Sequence, residues 1–355
     1  MAFRVETGLL NPDTAQYAGK GQAKPTLADI AAAARATEAL GFDGVCAPEA
    51  GHDPFLPLTI AAEHTQRIRL GTNVAIAFPR SPMVAAQLAW DLQQLSGGRF
   101  NLGLGTQVKG HNELRYATPW TAGPGPRLRE YVQCVQAMFA SFAAGKVTPF
   151  EGAHYRFTLL PPFFDPGPID HPAPPIYIAA VNTYMASLGG ELCNGLRLHP
   201  IGTFAYTREV ILPTIGAGAV KAGRTLADLD VIGAPFLATG ATEGDVAKAM
   251  GALKQHIAFY ASTRTYHTVL RFHGWEDIGL QLHQLAREGK WQELPTLITD
   301  AMLAEWAVIA THDRLAAEVR ARCAGIFSTV LLDLPGALAR DEDRVRDIVR
   351  HLHQP

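Results

Sequence analysis

The sequence predicts an α/β protein, a closed (β/α)8 TIM barrel with insertions over its C-terminal mouth, on three observations. Short apolar strands alternate with helical segments, the pattern of βα units around a parallel sheet. Eight such strands can be counted, each followed by a helix or by room for one. Small and polar residues, Gly71-Thr72-Asn73 and Gly105-Thr106-Gln107, gather where strands end. That is the edge at which parallel α/β folds hold ligands.

Taken in order, the first strand is read at 3–10, after a start (MAFRVETGLL) that lacks the basic and apolar runs of a secretory signal. Thr26 and Asp29 then form a capping box, with Leu27, Ile30, Ala31 and Ala34 on one helical face and Gly41 as the stop. The second strand, 44–49, runs into a loop, and the third spans 70–75. Ser81 caps the next helix and Pro82 opens it, where a missing N–H does no harm. Val84, Leu88, Leu92 and Leu95 read as its buried stripe, ended by Gly97-Gly98. After a fourth strand at 100–104, Leu128, Tyr131, Val132, Val135, Met138, Phe139 and Phe142 mark a long core-facing helix. Strands at 175–179, 195–199, 231–239 and 329–332 follow, and Val345, Ile348, Val349 and Leu352 line the last helix.

Two segments exceed the repeat: 144–175, rich in Pro and Gly, and 259–311, with aromatic and helical pieces. Within a single domain spanning 1–355, both are expected over the mouth, shaping a substrate pocket. With 48% hydrophobic and 18% charged residues the chain can bury a large core, and a formal charge of -2 gives no reason to expect nucleic acid or a membrane surface as partner. No apolar run reaches the roughly 18–20 residues of a membrane span. Four scattered cysteines, Cys46, Cys134, Cys193 and Cys323, read as free thiols of a cytoplasmic protein, and no His or Cys spacing suggests a metal.

The chemistry-bearing candidates stand at the strand ends: Glu49 and His52 after strand two, Thr72 and Asn73 at strand three, Thr106, His111 and Asn112 after strand four, Asn182 after strand five and His199 at the end of strand six. Each also has a plain reading. Asn and Thr often only satisfy loop backbone groups, and a single His is commonly a satisfied, partly buried one. Absences narrow the chemistry. There is no GxSxG elbow, no phosphate-binding GxxxxGK[ST] loop, and NLGLGT lacks GxGxxG spacing. A glycosidase pair would have only Glu49 and Asp333 to draw on. An organic redox cofactor asks least of protein acids and bases.

GFDGVCAPEAGHDPF, the run from Arg69 to Glu113, PPIYIAA and NGLRLHP, in this order, resemble the bacterial-luciferase-like monooxygenase superfamily, above all its deazaflavin (coenzyme F420)-dependent oxidoreductases. The resemblance implies a flavin or deazaflavin held at the strand C-termini. It implies a non-prolyl cis peptide at Asn73-Val74 behind the ring, with Asn112, Ala180, Val181 and Asn182 holding ring and ribityl-phosphate arm and Thr72 and Thr106 beside them. Glu49 and His52 would bond the ring or move a proton, and His199 is the further candidate for managing a proton or acting on substrate. Departures are visible too. Gln107-Val108-Lys109 stands where sugar-phosphate-oxidising relatives place an acid, Asn194 where close relatives tend to have one, and Arg197 where they have a small apolar residue.

Three readings follow: hydride transfer between coenzyme F420 and a small organic substrate; an FMN monooxygenase supplied with reduced flavin by a separate reductase; or a flavin-binding barrel without catalysis. A homodimer is compatible with all three.

Overall fold

The computed structural model of the protein describes residues 2–9 and 26–354. Eight parallel strands form the barrel: β1 (Arg4–Gly8), β2 (Gly44–Ala47), β3 (Arg69–Thr72), β4 (Phe100–Gly105), β5 (Ile176–Ala180), β6 (Gly195–Leu198), β7 (Asp230–Gly233) and β8 (Thr329–Leu331). Each pairs with the next, and β8 returns to β1 with Val330 opposite Val5, so the sheet has no open edge. Residue 10, the end of the first expected strand, lies outside the described residues.

One helix packs outside each βα step: α1 (Ile30–Ala39), α2 (Phe55–His64), α3 (Pro82–Leu95), α4 (Pro124–Ala144), α5 (Thr183–Leu192), α6 (Leu212–Lys221), α7 (Leu315–Cys323) and α8 (Glu342–Leu352). The Thr26–Asp29 capping box forms ahead of α1. The stripes read for α4 and α8 are buried in full. All four cysteines are buried free thiols, and among the described residues no helix is long and apolar enough to cross a membrane.

Two expectations are corrected. The helix α3 does not bury Val84, Leu88 and Leu95. Val84 and Leu95 are exposed, and Ala85, Ala86, Ala89, Trp90, Leu92 and Gln93 face inward. The small alanines let α3 approach the sheet closely, and Trp90 fills the space toward α4, its ring centroid 5.6 Å from Phe139 and 5.5 Å from Phe142. The strand read at 231–239 is two strands. Pro235, with no N–H for the ladder, separates β7 from Phe236–Gly240, which leaves the barrel and pairs in parallel with Ala307–Thr311. The later part of the segment 144–175 is tied to the outer wall. Trp90 Nε1 donates to Gly167 O (3.0 Å) and Gln93 Nε2 to Pro172 O (2.9 Å), which fixes it along α3.

The pair of extra strands, together with helices Glu243–Ala261, His267–Phe272, Glu276–Arg287 and Asp300–Trp306, builds a second core of its own. It starts at 236, earlier than the sequence pattern suggests. Its seat on the barrel is the mouth beside β5 and β6, where Val181 and Ile201 join its apolar cluster. Trp306 Nε1 donates to Ile201 O at 2.6 Å and pins it there.

Candidate active site

The ends of β2, β3 and β4 meet on one side of the mouth. Glu49, on the loop after β2, is a carboxylate almost out of solvent and fully engaged. Its Oε2 accepts from the Ile76 N–H at 2.7 Å and from Arg80 Nη1 at 2.5 Å, and its Oε1 accepts from the Tyr116 hydroxyl at 2.9 Å. Arg80 also pairs with Asp53 at 2.6 Å. One acid thereby ties the loops after β2, β3 and β4 together. Burial, then the hydrogen bond to Glu49, pushes the Tyr116 hydroxyl up to about 12, so it stays protonated and donating. His52, three residues from Glu49, is exposed.

Asn73 and Val74 are joined by a cis peptide bond, as the resemblance implied. The Asn73 N–H donates to Ala47 O at 2.8 Å, and Val74 leans over β4 so closely that a Cβ on Gly105 would collide with it. Gly105 is therefore needed for the approach of Val74. The Thr72 hydroxyl, fully buried, donates to Gly103 O at 2.6 Å and accepts from Gly103 N at 2.8 Å, closing the gap between β3 and β4. Asn112 is buried too, its Nδ2 donating to Thr106 O at 2.9 Å and to Val108 O at 3.1 Å. Among the described residues its Oδ1 has no hydrogen-bond partner. A buried acceptor left bare is costly, and at a ligand-binding strand end it suits a ligand N–H.

On the other side, Ala180 O accepts from the His199 N–H at 3.1 Å, joining the ends of β5 and β6. Asn182 caps α5, its Oδ1 accepting from the Met185 N–H at 3.0 Å, so the first turn of α5 begins at the end of β5, where helix N–H groups favour an anion. Val181 is held by the second core. His199 lies beneath that core, stacked on Tyr266 (centroids 4.9 Å apart) and edge-on to Tyr260 (5.0 Å). Burial, helped by the nearby His256, lowers its imidazole to about 4. It is a neutral ring at neutral pH.

Below the mouth the barrel interior holds ionic groups beside a small apolar cluster of Cys46, Ile232 and Leu331. Arg197, 3% exposed, donates to Glu6 Oε2 at 3.1 Å and to Asn101 Oδ1 at 3.0 Å. A Cβ on Gly71 would meet its guanidinium, which explains why glycine stands there. Deeper still, Asp230 accepts from Arg69, Ser328 and Thr329. Burial opposes its ionisation, yet the Arg69 charge and these bonds hold it down at about 2. Asn194 is accounted for structurally, since its Oδ1 accepts from the Ile176 N–H at 3.0 Å.

The sequence-derived candidates thus fall on two sides of one mouth: Glu49, His52, Thr72, Asn73, Val74, Thr106 and Asn112 on one, Ala180, Val181, Asn182 and His199 on the other. Sequence reasoning does not single out Tyr116, and it takes Tyr266 only as one of several aromatic residues in the insertions that suit an apolar or ring-shaped substrate. Tyr116 carries the signal of its position four residues past Asn112, in the same loop, whereas Tyr266 lies in an insertion with no periodicity to place it.

The profile of the luciferase-like monooxygenase family matches residues 8–328. This chain belongs to that family. Among its relatives, an uncharacterized protein of Mycobacterium tuberculosis is 43% identical over 305 residues, 86% of this chain and 89% of the relative. An F420-dependent glucose-6-phosphate dehydrogenase of Beutenbergia cavernae is 34% identical over 218 residues, 58% of this chain and 62% of the relative. Two solved structures share the fold. The coenzyme F420-dependent tetrahydromethanopterin reductase of Methanopyrus kandleri superposes with a TM-score of 0.74 at 21% identity, covering 99% of this chain and 98% of its own. The oxygenating constituent of 3,6-diketocamphane monooxygenase from Pseudomonas putida, in complex with FMN, gives 0.68 at 15% identity, covering 99% and 98%. The chain is thus a member of a luciferase-like oxidoreductase family, and its relatives include a protein named as F420-dependent.

Proposed function

We propose that this protein transfers a hydride between coenzyme F420 and a small organic substrate at the mouth of the barrel. The observation that carries the reading is Asn112, in the short helix after β4, an otherwise well-bonded side chain whose Oδ1 is buried without a partner among the described residues. That bare acceptor suits an N–H on the edge of a deazaflavin or flavin ring. Val74 would back the ring, with Asn73, Thr72 and Thr106 shaping the wall behind it. Ala180, Val181 and Asn182 would face its other end, and the first turn of α5 would take the phosphate. The choice of F420 leans on the 34% identical relative named as F420-dependent.

Once bound, the coenzyme supplies two-electron chemistry that the side chains here do not. What the chain supplies is placement. Glu49 holds three mouth loops in register through Ile76, Arg80 and Tyr116. With both oxygens bonded to donors, it acts in this proposal as a positioning group, while exposed His52 meets solvent and substrate at the rim. His199 presents a neutral ring under the second core. A dehydrogenase of sugar phosphates is not proposed, because Gln107 stands where an acid is needed, its Oε1 turned back on the Val108 N–H at 2.9 Å.

A second reading, an FMN monooxygenase fed by a separate reductase, is favoured by the diketocamphane monooxygenase likeness and by the aromatic cover over His199. The homodimer belongs to the proposal through α3, whose exposed Val84 lies beside exposed Phe163 and Phe164 on the outer face. Titration with oxidised F420 and with FMN, read by fluorescence and followed by a test for oxygen consumption, decides between the two cofactors. Tight FMN binding with oxygen uptake would overturn the first reading.

A further inference from the structure

His199 is held at both ring nitrogens. The Ile201 N–H points at Nδ1 from 3.2 Å, and the Tyr266 hydroxyl lies 3.4 Å from Nε2. A backbone N–H can bond only to a ring nitrogen that carries no hydrogen, so Nδ1 is bare, and the single hydrogen of a neutral imidazole must sit on Nε2. Nε2–H then donates to Tyr266 Oη. The hydrogen of the Tyr266 hydroxyl is left over, and no other hydrogen-bond partner of that hydroxyl is found among the described residues. Tyr266 is only partly buried, and it comes from the short helical turn Arg264–Tyr266 of the second core, stacked on a residue that ends β6. A donor with no protein acceptor among the described residues is thus set at the barrel mouth. The titratable groups around the pair are His256 and Tyr260, and both belong to the same aromatic cluster.

We propose that Tyr266 is the catalytic acid and base for a substrate oxygen, and that the substrate is a ketone or aldehyde, or the matching alcohol. The inference rests on the hydride-transfer reading. In the reducing direction the carbonyl carbon gains a C–H bond from the two-electron hydride donor, and the C=O π pair moves to oxygen. The Tyr266 O–H bond breaks as that oxygen takes the proton, completing the alcohol. The carbon is reduced by two electrons and the hydride donor is oxidised by two. The phenolate left on Tyr266 accepts the Nε2–H of His199, whose orientation Ile201 fixes, and recovers its proton from water. His199 is a positioning residue in this scheme. Its lowered proton affinity, caused by burial and by His256, keeps it a donor to Tyr266 without competing for the proton.

The first test needs neither cofactor nor substrate. Nitrogen-15 spectra of the histidine rings in the apo protein, with His199 assigned by loss of its signal in His199→Phe, should show a neutral Nε2–H tautomer from pH 8 to pH 5. An Nδ1–H tautomer would turn the Tyr266 hydrogen toward the ring and overturn the proposal. The second test compares wild type with Tyr266→Phe, which keeps the stacked ring, using reduced F420 and a panel of simple ketones and aldehydes. The variant should lose at least thirtyfold in kcat while its F420 dissociation constant stays within twofold. In the alcohol-oxidising direction its pH profile should lose the limb that rises with pH. Equal turnover by the variant, or turnover of the wild type only with substrates lacking a carbonyl or hydroxyl, would overturn the inference alone. Absence of F420 binding to the wild type would overturn the hydride reading and this inference with it.

Discussion

Replacing Arg197 by Met removes the cation from the middle of the barrel and leaves Glu6 behind. The pair is 3% and 1% exposed, and its Nη1–Oε2 distance is 3.1 Å. At an effective dielectric of about 20 the Coulomb attraction at that distance is about 5 kcal/mol. Desolvation of both ions offsets much of that, so the intact pair adds little net stability. Breaking it is different, because the carboxylate is then buried without a cation and Asn101 Oδ1 loses its donor. The expected loss is about 4 kcal/mol, the range for removing one partner of a buried pair. Removing both charges, with Glu6→Met and Arg197→Met together, should recover most of it and end within about 1–2 kcal/mol of wild type, the remainder being the unpaired Asn101. Urea unfolding followed by tryptophan fluorescence measures all three, provided the slope with denaturant is unchanged. A single-variant loss under about 1 kcal/mol, or a double variant as unstable as the single, would refute this account of the barrel interior.

Other outcomes follow from the mouth. Glu49→Gln should cost about 2 kcal/mol of stability, since Arg80 keeps Asp53 but loses its closer carboxylate; urea midpoints read this, and an unchanged midpoint would mean the loops hold without it. Asn112→Leu should weaken F420 binding at least tenfold in a fluorescence titration, and equal affinity would remove Asn112 from the cofactor site. His199→Phe tests the lowered imidazole. A folded value near 4 against 6.5 unfolded means the unfolded chain binds more protons between those pH values, so wild type is stabilised above pH 6.5 and loses that contribution as pH falls toward 4. Discounted for the partial exposure of the ring, the extra loss between pH 7 and pH 4 should be about 2 kcal/mol in wild type and absent in the variant. Gly105→Ala should lower both stability and F420 affinity, because its methyl group meets Val74.

How much of this was legible in the sequence depended on the range of the interactions involved. The barrel followed from eight strands and from the stripes of α4 and α8, local signals that one residue after another repeats. The α3 stripe was misread because hydrophobicity alone favours Val84 and Leu95 over alanine, whereas packing against the sheet selects the smaller side chains. Pro235 marked the break after β7 in plain view, yet where the chain goes next depends on a partner strand about seventy residues later. At the site, the strand-end positions of Glu49, Asn112 and His199 were readable from their neighbours. The partners that decide what those residues do were not. Arg80 and Tyr116 on Glu49, and Tyr266 on His199, come together across loops, with separations of 31, 67 and 67 residues.

The most direct test of the central claim is an equilibrium titration of the purified protein with oxidised F420 and, separately, with oxidised FMN, each followed by ligand fluorescence. The account predicts micromolar binding of F420, at least tenfold weaker in Asn112→Leu, and none of FMN over the same range. Tight FMN binding with oxygen consumption on adding reduced flavin, or no binding of either, would contradict it.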